Sequence, residues 1–257
     1  MNKKKAMALF ECLETRSEIP VFHLSTNMCQ IHRMKVINKV RQMLKNGEKL
    51  ILCSTQLIEA GVDIDFPVVF RELAPLESII QSAGRCNREG KLKEGQVYLF
   101  QLEDQSQPSR QYETFAKYAQ LCYQGNESRL TEAEFYSEYY TKIISLYVEK
   151  DLITSKRKEL MFQDVAGMYH IINSNTTTLF IYQYDDDSKH LYNSIKDKDF
   201  LSRKDYQQMA QYSVQVFDRF TKNNANKIEE IPNGVKIWFG AYSKETGLSN
   251  EDEIYFI

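Results

Sequence analysis

Two six-residue stretches, VFHLST at 21–26 and LILCST at 50–55, constrain the fold of this chain more than any other feature. Each is a short apolar run that ends in Ser-Thr, suited to a buried strand. Between them Met34, Ile37, Val40 and Leu44 recur at helical spacing and are expected to face inward, with Asn46-Gly47 as the helix stop. The alternation continues on both sides. An N-terminal helix carries Ala6, Leu9, Phe10 and Leu13, and strands are expected in PVVFREL and GQVYLFQL with a helix from Pro75 between them. Helices between short apolar strands predict an α/β domain with a mostly parallel sheet over about 1–105. In such a sheet a strand should precede the first helix, so the sheet is expected to lack its first strand or to have another segment in that place.

The polar stretch EDQSQPSR at 103–110 reads as a linker. Helical patterning follows over 106–160: QYETFAKYAQLCY, then a capping box from Thr131 to Glu134 opening the long AEFYSEYYTKIISLYVEKDL. Its tyrosines, Tyr136, Tyr139, Tyr140 and Tyr147, are suited to packing against the preceding domain, with base stacking as the alternative. Over 161–257 the β-rich runs TTTLFIYQY, YSVQVF and VKIWFGAY, with a turn at KETG, predict a small α+β domain.

Composition places the whole in the ordinary soluble class, at 42% hydrophobic and 26% charged residues. No apolar run approaches the length needed to cross a bilayer, and MNKKKAMALFECLE lacks a secretory core, so a cytoplasmic protein without a membrane partner is expected. Cys12, Cys29, Cys53, Cys86 and Cys122 are odd in number with no C-x-x-C pair, and read as mostly buried thiols. The dispersed His23, His32, His170 and His190 make a protein-held metal improbable. Net charge is -2, yet residues 1–100 carry +4 and the remainder -6. Only the first part inclines toward polyanions, and mildly.

Chemistry is expected at the two strand ends. At the carboxyl edge of a parallel sheet, hydroxyls and first-turn amides converge on phosphate, so Ser25, Thr26, Ser54 and Thr55 are candidates to hold a nucleic-acid backbone. Helix capping is the alternative for each. After Thr55, Gly61 stands where a left-handed residue is needed, and Asp63 follows as an acceptor for a ribose hydroxyl, a partner for an arginine, or a plain loop charge. Further on, Gln81, Gly84, Arg85 and Arg88 fall at i, i+3, i+4 and i+7, which on one helix would put them on one face opposite Leu76, Ile80, Ala83 and Asn87. Two guanidinium forks there suit a multi-oxygen anion such as phosphate, although a merely solvated face has the same pattern.

The stretch STQLIEAGVDIDFPVVFRELAPLESIIQSAGRCNREGK resembles motifs V and VI of superfamily 2 helicases, in the version found in the signature helicase-nuclease of type I CRISPR systems. FHLSTNMCQIHR resembles that family's motif IV region, and FLSRKDYQQMAQYSVQVF with YSKETGL resembles its C-terminal accessory domain. The resemblance implies a second RecA-like domain followed by the accessory domain, completing an ATP site with a first RecA-like domain. It implies that Arg88, with Arg85, acts as an arginine finger toward the γ-phosphate, that Gln81 positions the attacking water, and that Gly61, Asp63 and Gly84 border ATP and its Mg²⁺. It further implies that Ser25, Thr26, Arg33, Ser54 and Thr55 hold single-stranded DNA, and that an N-terminal helicase-nuclease half and a CRISPR surveillance complex are partners.

The departures from that family are specific. There is no G-x-x-x-x-G-K-[ST], since GRCNREGKL has one residue too many and Leu92 where a hydroxyl is needed; there is also no D-E-x-H box and no His-Asp nuclease cluster. This polypeptide alone is therefore expected neither to hydrolyse ATP nor to cut DNA. The alternative expectation is a non-catalytic module, from a split gene or an internal start, that docks on a DNA-bound surveillance complex.

Overall fold

The computed structural model describes residues 2–59, 62–102, 109–126, 129–130, 132–146, 152–168 and 176–248. The chain divides into two compact units, one comprising Met1–Phe70, Gln81–Tyr98 and Asn175–Ile257, the other Arg71–Ile80 and Leu99–Ser174.

The N-terminal helix α1 (Lys3–Arg16) starts where the Asn2 side chain accepts from the Lys5 amide at 2.9 Å. Strand β1 (Val21–Leu24) and strand β2 (Ile51–Ser54) flank helix α2 (Gln30–Lys45) and pair in parallel, Val21 opposite Ile51 through Leu24 opposite Ser54. The expected stop holds: α2 ends at Asn46, and Gly47 takes φ +74°, where a side chain would be strained. Strand β3 (Val68–Glu72), helix α3 (Leu76–Ala83) and strand β4 (Gln96–Phe100) follow, with β3 beside β4. The amides of Ser78 and Ile79 donate to the Pro75 carbonyl, so proline opens α3 as expected.

Leu24, Met28, Ile37, Val40, Val62 and Ile64 form the apolar centre of this region. One residue expected there is absent: Met34 is 44% exposed, while His32 and Met43 are buried. At roughly 100° per residue, Met34 lies about 60° beyond the Ile37 edge of the buried arc. The cysteines differ from expectation as well, since Cys29 and Cys53 are buried, Cys86 and Cys122 half-buried and Cys12 exposed.

In the second unit, helix α4 (Arg110–Tyr123) is capped by Ser109, whose side chain accepts from Tyr112 N at 3.1 Å. It packs with helix α5 (Ala133–Leu146) around Leu76, Ala119, Phe135, Tyr139 and Ile143. Tyr139 is buried, and its hydroxyl accepts from the Leu76 amide at 3.3 Å, so this tyrosine serves packing; Tyr140 is exposed. Helices α6 (Leu152–Lys158) and α7 (Phe162–Met168) complete the unit. Thr131, Tyr147 and most of the expected linker, 103–108, lie outside the described residues.

The C-terminal region is the expected α+β arrangement. Strand β5 (Thr176–Phe180) leads to helices α8 (Asp186–Ile195) and α9 (Arg203–Gln211), strand β6 (Ser213–Phe217) and helix α10 (Asp218–Asn223). Capping boxes at Asp185–Ser188 and Ser202–Asp205 start α8 and α9. Strands β7 (Ile228–Glu230) and β8 (Lys236–Trp238) finish a four-stranded sheet in the order β6-β5-β8-β7, in which only the β5–β8 pairing is parallel. A hairpin of β9 (Tyr242–Ser243) and β10 (Gly247–Leu248) comes last, with its turn in the KETG segment. Leu179, Phe180, Ile181, Ile195 and Ile237 are fully buried at its centre, and Cys29 from the start of α2 joins the same cluster.

Two histidines are buried in the first unit. Burial holds the imidazole of His23 down to about 4, helped by the positive form of His32, and burial likewise holds His32 to about 4. His32 Nε2 lies 2.8 Å from the Lys244 carbonyl, so that nitrogen carries the proton, and Nδ1 accepts from the Tyr242 hydroxyl at 3.0 Å.

Both histidines are neutral when folded, whereas the unfolded chain protonates them near pH 6.5. The unfolded state therefore binds more protons between about pH 6.5 and 4, and stability falls as pH drops through that window, by at most about 3 kcal/mol for each group. Thermal unfolding followed from pH 7.5 to 4.5 should show a flat Tm above about 6.5 and a decline below it, with a shallower slope in His32→Gln. Urea unfolding tests the packing separately. Leu24→Ala, at a fully buried site, should lose about 2–5 kcal/mol, and Met34→Ala should stay within about 0.5 kcal/mol of the wild type.

Candidate nucleotide and nucleic-acid interface

Parallel pairing of β1 and β2 brings both Ser-Thr dipeptides to one sheet edge, where Thr55 N donates to the Leu24 carbonyl at 3.2 Å. The four hydroxyls are not equivalent. Thr26 is exposed and Thr55 half-buried, whereas Ser25 is fully buried. Ser25 Oγ accepts from Asn27 N at 3.3 Å and lies 3.0 Å from His23 Nε2, so Ser25 shapes the turn rather than facing a ligand. Ser54 is half-buried and donates to the Thr55 carbonyl at 3.0 Å. Capping does not account for the two threonines: the N-cap of α2 is Cys29, and Thr55 precedes the 3-10 turn Gln56–Ile58 without a side-chain cap bond. Arg33, on the first turns of α2, is half-buried and donates through Nη1 to the Met28 carbonyl at 3.2 Å. Burial pushes the Cys53 thiol in β2 up to about 11, so it is not a nucleophile at neutral pH.

The expected common helix face of Gln81, Gly84, Arg85 and Arg88 does not form, because α3 ends at Ala83. Glycine is a weak helix residue, and beyond it the chain is drawn off the helical path. Phe66 N donates to the Arg85 carbonyl at 2.9 Å and Asn87 N to the Phe66 carbonyl at 2.8 Å, making a parallel bridge between Phe66 and Cys86. Asn87 takes φ +47°, a conformation its short polar side chain tolerates, and closes the loop through bonds to Leu92 N and Leu92 O. Asp65 accepts from the Arg88 amide at 2.7 Å. On the short α3, Leu76, Ile79 and Ser82 are buried, Gln81 is exposed in the last turn, and Ile80, expected opposite Gln81, is exposed too.

The two arginines thus separate. Arg85 donates through Nε to the Ile58 carbonyl at 3.2 Å and through Nη2 to the Glu59 carbonyl at 2.9 Å, clasping the turn that follows β2. Arg88 pairs with the Asp63 carboxylate in a setting where the side chains are 43% and 76% exposed. Such a pair is solvent-screened and contributes little to stability, so the guanidinium can be recruited at little cost. The Asp63 carbonyl also accepts from Arg41 of α2 at 2.7 Å. Gly84 is exposed, and Gly61 lies outside the described residues. Of the residues expected at the site, the structure joins Asp63 with Arg88 and ties Arg85 to the loop after Thr55.

Sequence patterns did not reveal Tyr242, whose hydroxyl accepts from the Cys29 amide at 2.9 Å. A bond that spans 213 residues of sequence leaves no local periodicity, and only the turn residues of KETG mark that a hairpin exists. Asp65 was missed for another reason: an aspartate two residues after Asp63 looks like any loop charge until its partner amide is placed.

Residues 2–91 match the family described as "CRISPR-associated nuclease/helicase Cas3, C-terminal". The chain is 45% identical over 73 residues to the CRISPR-associated nuclease/helicase Cas3 of Haloferax volcanii, covering 27% of this chain and 8% of that protein. It is 32% identical over 87 residues to the Methanothermobacter thermautotrophicus protein of the same name, covering 34% of this chain and 10% of that one. The T. fusca Cas3-AMPPNP structure matches with a TM-score of 0.59 at 12% identity, over 92% of this chain and 34% of the other. A structure described as "CRISPR RNA-guided surveillance complex, pre-nicking" matches over 96% of this chain and 37% of the other, with a TM-score of 0.57 at 12% identity. The chain is thus similar to the C-terminal part of Cas3 and spans about a third of those structures' length. Among the described residues no helix is long and apolar enough to cross a membrane.

Proposed function

We propose that this chain is the C-terminal part of an ATP-dependent helicase that translocates on single-stranded DNA in type I CRISPR defence, and that it works in the cytoplasm. Residues 1–105 form the second RecA-like domain, 106–160 a connector and 161–257 the accessory domain. The partner is a P-loop-bearing N-terminal helicase-nuclease half, together with a CRISPR surveillance complex. The observation that carries the reading is Arg88: an exposed guanidinium that, among the described residues, is held only by an exposed carboxylate, on a loop whose backbone is fixed by Asp65, Asn87 and the Phe66–Cys86 bridge. A rigid backbone with a recruitable cation suits a group that must meet an anion delivered from outside.

ATP with Mg²⁺, bound mainly by the other half, supplies a γ-phosphoryl group on which negative charge accumulates during transfer. Arg88 is the finger that neutralises this charge, Asp63 holds it beforehand, and Gln81 offers an exposed amide for the attacking water. Gly61 and Gly84 let the backbone border the nucleotide. Arg85 acts one step back, joining the finger loop to the turn after Thr55. Thr26, Thr55, Ser54 and Arg33 hold the DNA backbone, with Ser25 shaping the turn beneath Thr26. A strand shift felt at Thr55 thus has a mechanical route to the nucleotide through Arg85. A docking module without catalysis would have no use for a pre-set, lightly held arginine, which favours the helicase reading.

Mixing this chain with a P-loop-bearing half should give ATP hydrolysis stimulated by single-stranded DNA, and neither part alone should match it. Arg88→Ala should lower the turnover of the mixture by about 10³-fold or more while its circular dichroism and Tm stay unchanged. Wild-type turnover in Arg88→Ala would remove the finger assignment. Absence of hydrolysis in every mixture, with the surveillance complex still captured by this chain alone, would favour the docking module.

A further inference from the structure

We infer that the C-terminal hairpin β9–β10 is the positioning element for the nucleic-acid edge: Tyr242 and Gly247 hold the 25–29 loop in the form that presents Thr26 and Arg33 to a phosphodiester backbone. The inference rests on the proposed DNA-binding role of that edge and adds a residue-level device to it.

Hairpin and loop are joined through main-chain atoms. Leu248 N donates to the Asn27 carbonyl at 2.9 Å, and the Tyr242 hydroxyl accepts from Cys29 N at 2.9 Å. That hydroxyl donates its own proton to His32 Nδ1, at 3.0 Å, because His32 Nε2–H is committed to the Lys244 carbonyl at 2.8 Å. The hairpin therefore holds Asn27, Cys29 and His32, three positions within six residues. Gly247 makes the approach possible. It takes φ +86°, and a Cβ there would overlap the Asn27 carbonyl and come within 2.8 Å of Met28 N.

The held segment is also the one that orients the proposed ligands. Thr26 is the exposed member between buried Ser25 and buried Asn27, so its direction is set by its neighbours. Arg33 leans on the Met28 carbonyl at 3.2 Å and bonds through its amide to the Cys29 carbonyl at 3.0 Å. Leu248 and Cys29 are buried in one cluster, so the hairpin is packed in place and does not brush the surface. An element whose bonds run to Asn27, Cys29 and His32, next in sequence to both candidate ligands, is a positioning element and does not itself touch DNA.

The test compares Tyr242→Phe, Gly247→Ala and Gly247→Val with the wild-type full chain, with Phe200→Ala as a control at a 90% exposed site in the segment between α8 and α9. Two readouts are taken: amide hydrogen exchange at Asn27–Cys29, and affinity for oligo(dT) across a salt series. Tyr242→Phe and Gly247→Ala should exchange faster there and bind oligo(dT) about tenfold more weakly, with the log–log salt slope smaller by roughly 0.7 for each phosphate no longer neutralised. The Tm of Tyr242→Phe should stay within a few degrees, Gly247→Ala should lose more because its Cβ overlaps the Asn27 carbonyl oxygen, and Phe200→Ala should match the wild type in every readout. A purely structural hairpin would alter exchange without altering the salt slope, and that outcome overturns the inference. Unchanged exchange in Tyr242→Phe and Gly247→Ala overturns it too. If Gly247→Val does not fold, the two milder variants decide. If Thr26→Val and Arg33→Ala bind oligo(dT) like the wild type, the DNA reading of the edge fails and the presenting role falls with it. If Arg33→Ala weakens binding while the hairpin variants do not, the DNA reading stands and only the positioning inference falls.

Discussion

Most of what this molecule offers depends on the parallel pairing of β1 with β2. In an antiparallel pair the two Ser-Thr ends would lie at opposite edges of the sheet. With Leu24 opposite Ser54, both chains leave on the same side, and the turns that follow are neighbours. α2 makes this possible by returning the chain across the sheet, and its apolar arc of Ile37 and Val40 holds the pair in register. A slip of β1 by one residue would exchange the faces of His23 and Leu24, both of which are buried, and would part His23 from Cys53 opposite it.

On that base the loops divide their labour by exposure. Arg85 spends its guanidinium on two carbonyls and becomes part of the scaffold, while Arg88 pairs with Asp63 in an exposed setting. The two residues are chemically identical and three positions apart. What distinguishes them is the left-handed Asn87 and the bridge to Phe66, which turn one inward and leave the other out. The C-terminal hairpin fixes the neighbouring loop in a similar manner, through amides and carbonyls instead of exposed side chains.

The elements themselves were legible because burial imposes period: the strand runs, the helix stop at Gly47 and the proline opening of α3 all appear where spacing put them. Legibility ended where a tertiary bond overrides a local pattern. The i, i+4, i+7 spacing of Gln81, Arg85 and Arg88 is a fact about sequence, but Gly84 cannot hold a helix against the pull of Phe66. Ser25 and Thr26 look alike in a string, and only His23 and Asn27 decide which hydroxyl is buried. Met34 missed the core because a four-residue apolar set defines an arc only to within tens of degrees. Tyr242 was out of reach altogether, since nothing near it in sequence points to Cys29.

The clasp made by Arg85 also bears on how such a chain can evolve. Because the guanidinium reads the carbonyls of Ile58 and Glu59, the latch depends on the path of the turn, and Ile58 secures that path by packing against the core of Leu24, Ile37 and Val40. Selection then falls on one long side chain and on backbone geometry. Relatives could exchange the apolar residue at 58 for another of similar volume and still transmit the same mechanical constraint, whereas a lysine at 85, with no planar fork to span two carbonyls, would be a poor heir.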